Sequence, residues 1–137
     1  MTKSEYRIKH SELIENCIYI EDILKRFYGI ANDKGDLDKF IKITDELDND
    51  PMGKLINLYK KNNNCGLPND FIEKLDKVRE IRNYYVHRVF YQNNPFNYKV
   101  ADSVDALKIN ESLMFVQNVY SDFCVFFDEK QARTKIK

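Results

Sequence analysis

Glycine and proline are scarce in this chain, four and three residues, and 1–28, 69–94 and 96–137 contain neither. So few breaks leave little room for the short strands and tight turns of a β fold and favour a few long helices. Apolar spacing agrees. Leu13, Cys17, Ile20, Leu24 and Phe27 recur at alternating four- and three-residue steps, which predicts a first helix over about Ser4–Tyr28 with Ser4 as its N-cap. His10 stands one turn earlier on that stripe and reads as a partly buried packing histidine. Gly29 is expected to end the helix, before the turn-rich Asn32-Asp33-Lys34-Gly35-Asp36.

A shorter helix follows over Leu37–Leu47. Asp50 then serves as N-cap and Pro51 as first helical residue of a third helix through Leu55, Leu58 and Tyr59, which dissolves into Lys60–Gly66. Leu67-Pro68-Asn69-Asp70 opens a fourth helix that continues to about Gln92, with Phe71, Leu75, Val78, Tyr85 and Val89 as its apolar stripe; Asn93-Asn94-Pro95 stops it. The fifth helix starts at Asp102 or Ser103 and carries Ala106, Ile109, Leu113, Val116, Tyr120, Phe123 and Phe127 in near-heptad order. The expected fold is all-α, a four-helix up-and-down bundle with one or two short extra helices. It forms one domain over 1–137, with 129–137 a frayed tail. Wide, aromatic-rich stripes on the first and fifth helices, including Phe123, Phe126 and Phe127, point to a homodimer.

Charge and cysteine content narrow the function classes. Twenty-two basic and 22 acidic side chains cancel and the pI is about 6.7, which argues against a protein that coats nucleic acid, though not against a local phosphate site. Cys17, Cys65 and Cys124 are an odd number without paired ligand spacing, so neither a disulfide framework nor a zinc site is expected, and Cys17 and Cys124 read as core. The carboxylates of Asp45, Glu46, Asp48 and Asp50 read as helix-end solvation, and no metal or cofactor is expected. Met1–Glu5 lacks the apolar run of a signal peptide, and no stretch approaches the ~20 apolar residues of a membrane span. The expected location is the cytoplasm.

The chemistry concentrates in Val78–Tyr91, where Arg82, Asn83 and His87 cluster in a predicted helix. At ~100° per residue, Arg82 lands near the centre of the apolar stripe between Val78 and Tyr85, and His87 falls ~140° away near Asn83, Glu80 and Tyr91. An arginine on an apolar stripe is costly unless its guanidinium reaches water, a carboxylate or a phosphate. Two readings follow. Arg82 pairs with an acidic side chain of another helix and His87 is an ordinary surface residue, or Arg82 and His87 meet at a cleft edge that holds a phosphate.

Arg82-Asn83-Tyr84-Tyr85-Val86-His87 resembles the Arg-x4-to-6-His motif of the HEPN superfamily (higher eukaryotes and prokaryotes nucleotide-binding), in which a polar residue often follows the Arg, as Asn83 does here. The resemblance implies a HEPN-like helical bundle and metal-independent RNA cleavage by a homodimer whose two subunits share one cleft. Arg82 and His87 are then the catalytic pair, and Asn83, Arg79, Tyr84, Arg88 and Tyr91 support RNA binding. It also implies a toxin or phage-defence setting, with an antitoxin or regulatory protein as partner. Toxin members carry a Tyr two residues after the His; Val89 stands there instead, so the modification of that Tyr by an antitoxin is not carried over. The alternative is a non-catalytic HEPN-like dimeric module for interaction or nucleotide binding. A third reading is a structural helical protein with Arg82 in a buried ion pair.

Overall fold

A computed structural model of the protein describes residues 1–48, 52–63, 65–89 and 103–136, for 103 and 130–136 the backbone only. Among these the regular structure is helical, with no strand. The elements are α1 (Lys3–Asn32), α2 (Leu37–Leu47), α3 (Met52–Lys61), α4 (Asn69–Asn83), a π turn (Tyr84–Arg88) and α5 (Ser103–Ile136). They divide into two compact units: 1–18 with 78–137, and 19–77.

In the first unit, Leu13 and Cys17 of α1 are buried, as are Val78, Tyr85 and Val89, and Ile109, Leu113, Val116, Val119 and Phe123 of α5. Within each set the residues fall three, four or seven apart, so each helix turns one stripe inward. Tyr6 belongs to the same core, and Val119 joins a stripe on α5 wider than the heptad positions. α1 begins with a capping box. The Thr2 amide donates to the Glu5 carboxylate at 3.0 Å and the Glu5 amide to the Thr2 hydroxyl at 3.1 Å. The cap is therefore Thr2, not Ser4: the Thr-x-x-Glu spacing satisfies two end amides at once.

The second unit packs Ile20, Leu24 and Phe27 of α1 with Leu47, Met52, Leu55, Ile56, Tyr59, Phe71, Ile72 and Leu75. Gly29 does not end α1, which runs on to Asn32. Instead it makes room: a Cβ there would lie 2.9 Å from the Phe40 ring and 3.1 Å from the Thr44 methyl. The reversal comes later, where Lys34 and Gly35 adopt φ of 53° and 79°. The Asp33 carboxylate accepts from the Gly35 amide, and Asp36 caps α2 by accepting from the amides of Asp38 and Lys39. Asp50 and Pro51, the expected start of α3, lie outside the described residues.

The segment after α3 is a loop, as composition predicts, yet Cys65 and Leu67 are buried in it. Asn63 clamps the loop, its side chain accepting from the Leu67 amide at 3.0 Å and donating to the Leu67 carbonyl at 2.8 Å. Cys65 Sγ approaches the Phe27 carbonyl at 3.8 Å. Among the described residues no helix is long and apolar enough to cross a membrane.

Candidate functional site

The expectation of an unbroken fourth α-helix to Gln92 fails after Asn83. Tyr84–Arg88 is a π turn, in which the Val89 amide bonds to the Tyr84 carbonyl, five residues back. Nothing in the local sequence announces it, because Tyr-Tyr-Val-His-Arg contains no helix breaker. A π turn inserts one extra residue into a helix and widens it, and such insertions are frequent at functional sites.

The wider turn revises the angles drawn for a straight α-helix. With two α steps of ~100° and three π steps of roughly 80°, Arg82 and His87 stand about 80° apart rather than ~140°. By the same geometry His87 comes within about 20° of both Asn83 and Arg79. Arg79, Asn83 and His87 thus form one file along the helix, with Arg82 on its flank. Arg82 is half-exposed and does not occupy the centre of the stripe, which Val78, Tyr85 and Val89 fill. Its stem therefore lies along the edge of the core rather than inside it.

Arg79 and Asn83 are half-exposed, and His87 and Arg88 are exposed. Together with Arg82, these side chains present three guanidinium groups, an amide and an imidazole within one stretch of helix. Arginine forks match phosphate oxygens, and an imidazole can accept or donate a proton. Tyr91 and Phe90 lie outside the described residues.

Tyr84 and Tyr85 divide between surface and core. Tyr85 is buried, its hydroxyl bonded to Ser112, and its pKa is pushed up to about 12, chiefly by burial. The half-exposed Tyr84 ring packs edge-on against Tyr85 at 4.9 Å, and the Lys108 ammonium of α5 sits 3.8 Å over the Tyr84 ring. A base stacking on Tyr84 must use the opposite face or displace that ammonium. Burial also raises the pKa of Tyr6, with Tyr85, Asp105 and Tyr84 adding to the effect.

Two contributors were not assigned to the site from the sequence. Lys108 reaches Tyr84 from a distant helix and gives no local sign. His10 did give one, since it is a polar residue on an apolar stripe, and its Nε2 lies 2.7 Å from the Tyr85 carbonyl. In an α-helix the Val89 amide would serve that carbonyl, but here it goes to Tyr84. A backbone group left unpaired away from water costs about 1–3 kcal/mol, and His10 supplies the missing donor. No family model, curated protein or solved structure matches the chain.

Proposed function

We propose that the protein is a metal-independent endoribonuclease of the HEPN type, built as a four-helix up-and-down bundle with one or two short extra helices. The observation that carries this reading is the turn of helix bearing Arg82, Asn83 and His87, where the π turn carries His87 toward the Asn83 file. RNA brings its own nucleophile, the ribose 2′-OH, so the protein must move protons and stabilise charge. The His87 imidazole serves as general base on the 2′-OH or as general acid on the leaving 5′-oxygen. Arg82 stabilises the charge on the phosphorane oxygens, Asn83 orients His87 or a phosphate oxygen, and Arg79 and Arg88 hold neighbouring phosphates. The products are a 2′,3′-cyclic phosphate and a 5′-hydroxyl end.

One imidazole cannot be acid and base in the same step, so the mechanism calls for a second copy. Val104, Leu107, Met114 and Val125 expose apolar side chains along one side of α5, in the unit that also holds Arg82 and His87, and this supports a homodimer with a shared cleft. The reading places the protein in the cytoplasm, as a toxin or phage-defence effector restrained by an antitoxin or other regulator.

Purified protein is expected to cut RNA in the presence of EDTA. His87→Ala and Arg82→Ala are each expected to lose about a hundredfold or more in rate while remaining folded. Full activity in His87→Ala sinks the mechanism. The net charge of zero favours the second reading, a non-catalytic module that binds nucleotides or a partner. That reading expects nucleotide binding by calorimetry, abolished in Arg82→Ala, with no RNA cleavage.

A further inference from the structure

We propose that His10 is a positioning residue: it holds the π turn open and so sets the angular register between Arg82 and His87. The catalytic half of this inference rests on the ribonuclease reading; the structural half does not. A straight α-helix through this segment would join the Val89 amide to the Tyr85 carbonyl, whereas the π turn joins it to Tyr84. The Tyr85 carbonyl is therefore released from that bond, and the His10 imidazole is seated on it at 2.7 Å.

A carbonyl oxygen only accepts, so His10 Nε2 must carry the hydrogen. The contact is held from both sides. Tyr85 is buried and bonded to Ser112, and the His10 ring meets the Tyr85 ring edge-on at 6.1 Å. The donor that an α-helix would offer in place of His10 is the Val89 amide, and taking it converts the π turn to α-helix. His87 then swings by about 60° away from Arg82. His10 touches no substrate in this scheme; it acts through the backbone that carries His87.

The decisive measurement is the scalar coupling across the hydrogen bond of the Val89 amide, read by NMR. Wild-type protein and His10→Gln, whose amide nitrogen can donate from the same reach, are expected to couple Val89 to the Tyr84 carbonyl carbon. His10→Phe, which fills the space without a donor, is expected to couple Val89 to Tyr85. Retention of the Tyr84 coupling in His10→Phe overturns the inference. Should His10→Phe not fold, the imidazole nitrogen spectrum of the wild type decides: a hydrogen on Nε2 is required, and an Nδ1-only tautomer overturns it.

In RNA cleavage, His10→Phe is expected to lower kcat about tenfold or more with KM within about twofold, and His10→Gln to restore kcat. An unchanged kcat in a His10→Phe protein whose coupling has moved removes the positioning role. A wild-type protein that binds but does not cut RNA overturns the ribonuclease reading, and the coupling result then decides the π turn by itself.

Discussion

Tyr59 has its ring buried in the 19–77 unit, and its hydroxyl donates to the Leu24 carbonyl at 2.5 Å. Burial is the largest cause of its raised pKa, with the nearby Cys65 adding to it. An unfolded tyrosine loses its proton near pH ~10, so above that pH the folded chain keeps a proton that the unfolded chain releases. Stability is thus complete below about pH 10 and falls as pH rises beyond it, by about 1.4 kcal/mol per pH unit from Tyr59. Tyr85, pushed up to about 12, adds to the fall between the unfolded and folded values, and the raised Tyr6 acts in the same direction. Melting temperatures measured between about pH 9 and 11 are expected to drop steeply, and Tyr59→Phe to flatten the slope. At neutral pH that variant is expected to lose about 1 kcal/mol for the missing hydrogen bond, read from urea unfolding. At this scale the sequence was partly legible. Tyr85 stands on a stripe and belongs to the core, while the partners of Tyr59 and His10 come from other elements and leave no trace in spacing.

Helix stripes were the most legible feature, because burial on one face imposes a three- and four-residue repeat on the sequence itself. Helix ends were less so. Gly29 reads as a terminator only if its backbone must take positive φ, yet Gly35 and Gly66 do so and Gly29 does not. Its smallness answers to the Phe40 ring instead. Gly29→Ala gains about 1 kcal/mol of helix propensity but overpacks by about 1–3 kcal/mol, so a net loss of about 1 kcal/mol is expected. In a Phe40→Ala background the same substitution is expected to be stabilising, and a double-mutant cycle by urea unfolding checks the sign change. The π turn was invisible for a related reason. No residue in Tyr84–Arg88 dictates it, and its hydrogen-bond partner stands 75 residues away on α1.

For the whole molecule, the charge balance sets a test that separates a local phosphate site from a broad electrostatic surface. A few arginine–phosphate contacts give a shallow dependence of RNA affinity on salt, roughly one unit of log–log slope per contact, whereas a coating protein gives a steep one. A slope of about −2 to −4 is expected here, from Arg79, Arg82 and Arg88. The proposed homodimer can be tested on the exposed apolar side of α5, where Val104 is 71% and Met114 64% exposed. Sedimentation at micromolar concentration is expected to give a dimer and Leu107→Glu a monomer without activity. A fully active monomer removes the shared cleft. The all-helical class was legible from the scarcity of Gly and Pro, whereas the division into two compact units was not, since α1 and α4 each contribute residues to both.

The extra residue in the π turn also bears on which insertions and deletions the gene can tolerate. Removing one codon from a helix ordinarily rotates everything beyond it by ~100° and turns its buried face outward. Here a deletion of Val86 takes out the residue that the helix already accommodates as surplus. Val89 would keep its place in the core, and a regular α-helix would replace the π turn. The motif would then read Arg-x3-His, and the Val89 amide would stay on the Tyr84 carbonyl, now four residues back.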